Sequence, residues 1–213
     1  MATDGDKVGV MTDTVESGSR TRTRRAILDA AVVVFAKRRN ASLSEVAAEA
    51  KVARSTLHRY FADRAELVFA LAEDVLVGFE RAIADAELDQ GPPLEAFRRL
   101  VVGYSALGQR IFFLFNEPTF YQPDPDPDVA RFFEKLEQAS KPIEALIDRG
   151  HREGVFAANL SVDWITRILM WMVFIGWEAV EENALSRLAA PATILQTIET
   201  GILAPPSGRM EGQ

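Results

Sequence analysis

Apolar residues recur three and four positions apart in one stretch of this chain after another, and no run alternates apolar with polar as a half-buried strand demands. That regularity predicts an all-α fold. From Thr21 the residues Ile27, Ala31, Val34 and Phe35 share one helix face, and the helix ends in Lys37-Arg38-Arg39-Asn40, where cations suit a C-terminus. Ser42 and Glu45 form the pattern of a capping box, and Leu43, Val46, Ala47 and Ala50 follow on one stripe. After a short break Arg54 to Phe61 supplies a third helix with Leu57 and Phe61 inward. Asp63 then caps a longer one carrying Leu67, Val68, Leu71, Val75 and Phe79.

Gly91-Pro92-Pro93 marks a boundary, since proline suits a helix's first turn. Helical segments are expected around 93–107 and 109–116, an irregular exposed loop over 117–128 with its PDPDPD run, and a helix over 128–152 that Pro142 should kink or split. Gly154 sits where a terminator belongs. Residues 162–183 are apolar nearly all round and should be buried on more than one side. A last helix over 187–203 runs into Pro-Pro. The count is about nine helices.

Composition narrows the function classes. The absence of cysteine excludes a disulfide framework, cysteine-bound zinc and thiol catalysis. The two histidines, His58 and His151, lie far apart, and no P-loop, paired dinucleotide glycines or nucleophile elbow is present, so neither an enzyme nor a cofactor is expected. The longest apolar run, Ile168 to Trp177, is half the roughly 20 residues a membrane span needs. With no apolar signal core in the first residues, a cytoplasmic protein without membrane contact is expected. The net charge of −7 hides a division: residues 19–64 hold 11 Lys/Arg against 4 Asp/Glu, and the rest hold 13 against 27. A basic face on an acidic body points to a polyanionic partner.

The stretch VAAEAKVARSTLHRYF, Val46 to Phe61, has helix-turn-helix proportions: a short amphipathic helix, a tight turn and a second short helix. Ala47 and Ala50 are small enough for close crossing, and Val52 and Leu57 can fill the wedge between the helices. The segment resembles the TetR family, whose pattern runs roughly I-A-x-x-A-G-V-S-x-x-T-L-Y-x-H-F with a basic residue three positions on. Val46, Ala47, Ala50, Val52, Thr56, Leu57 and Phe61 match, and Arg64 takes the basic place. ALIDRGHREGVF, Ala145 to Phe156, resembles the family's entry to its penultimate helix. Four positions depart. Lys51 replaces the turn glycine and is forced toward a left-handed conformation at roughly 1–2 kcal/mol. Ala53 replaces the N-cap serine, a loss of typically about 1 kcal/mol. His58 and Tyr60 replace a tyrosine and a histidine.

The resemblance implies three DNA-binding helices, a connecting fourth and five forming a ligand and dimer domain. Residues 1–19, rich in Gly, Thr, Ser and Asp with no apolar period, are expected to be a disordered tail. Beyond them the chain is expected to divide into a DNA-binding domain over 20–66, a ligand-sensing and dimerisation domain over 67–204 and a flexible tail over 205–213. The resemblance's DNA-contact candidates here are Ser42, Arg54, Ser55, Thr56, His58, Arg59, Tyr60 and Arg64. Base reading falls chiefly to Arg54, Ser55 and Arg59, because arginine pairs bidentately with guanine. Ser42, His58, Tyr60 and Arg64 are expected on phosphates, with affinity strengthening toward pH 6 through His58. Arg20, Arg22, Arg24 and Arg25 could lie as an arm along the DNA backbone; the plain alternative for each basic residue is a solvated charge.

In the larger half the aromatics of 97–121 and 164–177 are what a pocket for a small apolar effector would use, though each could equally be ordinary core. The candidate lining is Tyr104, Phe113, Asn116, Glu117, Trp171 and Phe174, with Glu117 suited to a cationic aromatic ligand. The resemblance implies a homodimer through the last two helices, packed as a four-helix bundle on a palindromic operator of double-stranded DNA. The expected function is ligand-responsive repression. The alternative is a helical small-molecule-binding or adaptor protein whose DNA binding has weakened through Lys51 and Ala53.

Overall fold

The computed structural model describes residues 7–124 and 126–203, with side chains from residue 18. Among them are nine α-helices: α1 (Lys7–Lys37), α2 (Leu43–Glu49), α3 (Arg54–Tyr60), α4 (Arg64–Asp85), α5 (Pro93–Ala106), α6 (Gly108–Asn116), α7 (Pro127–Arg152), α8 (Val162–Glu181) and α9 (Ala190–Ile202). The only extended pairing among the described residues is a single bridge between Phe156 and Leu203. The chain forms two compact units, Met1–Leu71 and Ala72–Gln213, with the division falling inside α4.

In the first unit Ile27, Leu28, Ala31, Val32 and Phe35 of α1 are buried together with Val46 and Ala47 of α2, Leu57 of α3, Phe61, and Leu67 and Val68 of α4. The capping box is formed. The Glu45 amide donates to the Ser42 hydroxyl, and the Ser42 amide donates to Glu45 Oε2 at 2.7 Å. Arg38 pairs with the same carboxylate. Between α2 and α3 the Lys51 amide donates to Ala48 O at 3.1 Å and the Val52 amide to Ala47 O at 3.0 Å. That is a Schellman ending, and Lys51 takes the left-handed position with φ 56°. Ala53 offers α3 no side-chain cap, while the Glu66 amide donates to Asp63 Oδ1 at 2.9 Å and secures the start of α4.

The second unit is centred on Phe79, Phe97, Leu100, Tyr104 and Ile111, with Ile143, Ile147, Ile165, Leu169 and Ile198 from the later helices also buried. Ser161 caps α8 by accepting from the Trp164 amide at 3.2 Å, and Asp126 caps α7. Gly154, at φ 70°, ends α7 as expected of a residue that no side chain strains there. Arg98 of α5 donates to both carboxylate oxygens of Glu199 of α9, at 2.6 and 2.9 Å, and fixes that helix pair.

Four features differ from the sequence-based expectation. The backbone is already helical from Lys7, where a disordered tail was expected to reach residue 19; extending an existing helix needs no new nucleus, so an apolar face is not required. Residues 1–6 and 204–213, including the expected C-terminal tail, lie outside the described residues. α7 runs unbroken across Pro142, because losing one internal hydrogen bond is offset by the packing of the turns on either side. The expected irregular loop contains a 3-10 turn at Pro118–Tyr121, whose Thr119 amide donates to the Glu117 carboxylate. Finally, α8 buries Ile165, Leu169 and Val173 against its neighbours but leaves Trp164, Trp171 and Ile175 about half exposed. The second apolar side of this helix is open in the single chain.

Candidate nucleic-acid interface and effector site

α3 is amphipathic in a useful sense: Leu57 is buried while Arg54, Ser55, His58 and Arg59 are exposed, with Thr56 and Tyr60 half-buried. Its exposed side chains are partly pre-arranged. Arg54 Nε donates to His58 Nε2 at 3.5 Å, and His58 Nδ1 lies 3.2 Å from Ala62 O. Both contacts are met by one neutral tautomer, with Nδ1 as donor and Nε2 as acceptor. Protonation of Nε2 would remove the acceptor, release Arg54 and add a second charge beside it. The Arg59 guanidinium stands 5.9 Å from the Tyr60 ring centre.

Two of the phosphate candidates also have structural roles. The Ser42 hydroxyl donates to Glu45 Oε2 at 3.0 Å as part of the capping box. Arg64 donates to Arg39 O at 3.0 Å and lies over the Phe35 ring at 4.7 Å, tying the start of α4 to the end of α1. Of the arm residues Arg20, Arg22, Arg24 and Arg25, all are exposed on α1, and Arg24 stands over Phe61 at 5.6 Å.

In the second unit the candidate effector residues fall into two groups by their ring contacts. Tyr104 and Phe113 are buried, Tyr104 against Phe79 with ring centres 4.8 Å apart. Burial pushes the Tyr104 phenol well above its usual range, so it stays protonated at any ordinary pH. Trp171 and Phe174 instead meet Phe115, at 4.9 and 5.3 Å, and Phe174 stacks on Phe112 at 5.8 Å. Glu117 closes α6 with only 3% of its surface exposed and accepts from the Thr119 hydroxyl at 2.8 Å. Asn116 donates to Phe112 O at 2.9 Å.

The candidate lining left out Phe112 and Phe115, members of the aromatic set read from the sequence, although their three-residue spacing matches that of Trp171 and Phe174 across the helix contact. It also left out Trp177 of the same set, whose ring packs against Gly108 with Arg187 standing 5.0 Å from its centre. The Trp177 indole N–H is buried without an acceptor among the described residues. No group of three or more potential metal ligands occurs among them.

The profile described as bacterial regulatory proteins of the tetR family matches residues 27–71, from the core of α1 into α4. The chain is 34% identical over 192 residues to the HTH-type transcriptional repressor LfrR of Mycolicibacterium smegmatis, a match spanning 90% of this chain and 96% of that protein. The chain belongs to the TetR family. A second TetR-like relative, the HTH-type transcriptional regulator NfxB of Pseudomonas aeruginosa, is 28% identical over 151 residues, 70% of this chain and 77% of its own length. Among solved structures, LfrR from Mycobacterium smegmatis in complex with proflavine superposes with a TM-score of 0.67 at 32% identity, covering 88% of this chain and 99% of that one. This TetR-family member is accordingly a transcriptional regulator, and α2 and α3 are its helix-turn-helix. The four departures from the family pattern leave that motif folded: Lys51 keeps the turn at a conformational cost, and α3 forms with Ala53 at its N-cap. No helix among the described residues is long and apolar enough to cross a membrane.

Proposed function

We propose that this regulator is a cytoplasmic repressor that binds a palindromic operator as a homodimer and is released by a small, largely apolar cation. In this reading residues 20–66 bind DNA and residues 67–204 sense the effector and dimerise. The observation that carries the first part is α3 itself, which turns Arg54, Ser55 and Arg59 to solvent while Leu57 anchors it. Arg54, Ser55 and Arg59 read bases; Thr56, Tyr60, Ser42, His58 and Arg64 hold register on the phosphates. Dimerisation through α8 and α9 would cover Trp164, Trp171 and Ile175, which a monomer leaves in water.

For the effector, the support is a buried carboxylate at the end of an aromatic seam. Glu117 can hold a positive charge that the rings of Phe115, Trp171 and Phe174 would stack upon, and the relative LfrR has been crystallised with proflavine, a flat molecule of that kind. Tyr104, Phe113 and Asn116 would bound the site. The Trp177 N–H is a donor in want of an acceptor, which such a ligand or its water could supply.

Selection of bound fragments from random DNA at moderate salt tests the operator. A palindromic consensus, lost when Arg54 and Arg59 are both changed to alanine, is the expected result; absence of any enrichment would favour the adaptor alternative. Fluorescence titration with proflavine tests the effector site, where Glu117→Gln should weaken binding at least tenfold. Equal affinity of the variant and the parent chain would remove Glu117 from the site.

A further inference from the structure

The loop between α4 and α5 is held by two arginines in an unusual way. Arg99 donates to the carbonyls of Ala86, Glu87 and Gln90, at 2.8, 3.1 and 3.1 Å. Arg149 of α7 donates to those of Leu88, Asp89 and Gly91, at 2.9, 3.4 and 2.9 Å. Every carbonyl from residue 86 to residue 91 thus accepts from one guanidinium or the other. The clamp holds Glu87 at φ 44°, a left-handed conformation that costs a residue with a Cβ free energy and that persists where the surroundings over-determine it. Backbone strain of this sort gathers at binding sites, and here it lies on the wall of a cleft.

The cleft has a volume of about 420 Å³ and opens between the last turns of α4 with its following loop and the C-terminal half of α7. Its size falls within the range of small-molecule sites. Ile83 and the buried Leu88 and Leu146 form an apolar floor that Pro142 and Ala145 extend. The charged groups are Glu87 and Asp89 on one wall and Arg149 and Arg152 on the other. Arg149 is occupied by the loop carbonyls. Arg152 makes only a 3.4 Å contact from Nε to Asp148 O among the described residues, which leaves its two terminal nitrogens available. Glu87 makes no side-chain ion pair there, and Asp89 accepts only from Gln90 at 3.2 Å.

We propose that this cleft is a second small-molecule site, apart from the aromatic seam, and that it takes a zwitterion with an apolar body, the chemistry of an apolar amino acid or short peptide. The carboxylate of such a ligand pairs with the free fork of Arg152. Its ammonium group lies between Glu87 and Asp89, beside the carbonyl end of α4, where a helix favours positive charge. The side chains rest on Ile83, Leu88 and Leu146. A plain anion would meet two carboxylates and a plain cation would meet Arg152, so charge complementarity selects the molecule that carries both. Because the arginine clamp fixes the wall beforehand, little ordering remains to oppose binding.

Leucylleucine is the probe, compared with its N-acetyl form, which lacks the cation, and its C-terminal amide, which lacks the anion. Calorimetry on the full chain should show binding of leucylleucine that is at least tenfold tighter than that of either blocked form. Arg152→Met, at an exposed position, should cost at least tenfold for leucylleucine and nothing further for the amide. Glu87→Gln combined with Asp89→Asn should behave the same way toward the N-acetyl form. Saturating proflavine should leave the leucylleucine affinity unchanged. The proposal is overturned if none of the three forms gives measurable heat at millimolar concentration, if Arg152→Met weakens all three alike, or if proflavine displaces the dipeptide.

Discussion

Lys51 occupies the position where α2 must turn back into α3, and its φ of 56° shows what the backbone demands there irrespective of side chain. A Cβ in that conformation costs about 1–2 kcal/mol, against the 0.5–1 kcal/mol or so of extra chain entropy that glycine loses on folding. Lys51→Gly should therefore stabilise the helix-turn-helix by roughly 0.5–1 kcal/mol, and Ala53→Ser should add about 1 kcal/mol by supplying the missing cap. Urea denaturation followed by circular dichroism measures both; a lower midpoint in either variant would show that the turn is not held as described. The strain at Lys51 was legible in the sequence because the left-handed position in a Schellman ending is a local matter, set by six or seven consecutive residues. The anchoring of Arg64 was not. Its acceptor, Arg39 O, lies 25 residues away, and a basic residue at that place reads as a DNA contact whether or not it also holds the helix start.

Helix pairs in the second unit depend on two kinds of contact, one steric and one ionic. Where α6 begins, a Cβ on Gly108 would stand inside the contact distance of the Trp177 ring, which is a rigid neighbour rather than a flexible tip. Gly108→Ala should destabilise by about 1–3 kcal/mol, the usual range for overpacking a filled site, and should shift the tryptophan emission. An unchanged unfolding midpoint would mean that α6 and α8 slide apart at little cost. The α5–α9 pair carries the Arg98–Glu199 bond, which holds the Glu199 carboxyl below its ordinary value, chiefly through that hydrogen bond. A depressed folded-state value stabilises the protein above the ordinary carboxylate range, and the contribution fades as pH falls through that range toward the folded value. Glu199→Gln should thus lower the melting temperature at pH 7, and the difference should shrink steadily below about pH 4, near where an unperturbed glutamate titrates. A gap that stays constant down to pH 3 would show that packing, and not the ion pair, separates the two proteins. The three-residue period of Phe112 and Phe115 was present in the sequence and matched that of α8. The choice between Phe112 and Phe113 as the residue facing Phe174 depended on the rotation of α6, which nine residues of mostly apolar sequence leave open.

At the scale of the whole molecule, the number and order of helices were readable because each has its own apolar period and stop signals, and the family was readable because one sixteen-residue stretch combines them in a specific order. The cleft beside α7 was not, since its walls come from residues some sixty positions apart and an arginine that clamps carbonyls looks in sequence like any surface charge. Charge is the property that belongs to the molecule as a whole. With a basic 19–64 region on a chain of net charge −7, operator binding must release counterions, and log affinity should fall with log salt at about 0.9 per phosphate neutralised. Effector and operator are further tied by linkage. If proflavine weakens operator binding by some factor, the operator must weaken proflavine binding by the same factor, and couplings of about 5–150-fold are typical. Titrating operator DNA with and without saturating proflavine, and proflavine with and without operator, gives both factors independently. A common factor well above one is expected, and Glu117→Gln should bring proflavine's effect on the operator toward one at a fixed proflavine concentration. A factor of one in both directions would remove proflavine as an effector and leave operator binding intact, since the proposed reading assigns that binding to the first unit and to Arg54 and Arg59.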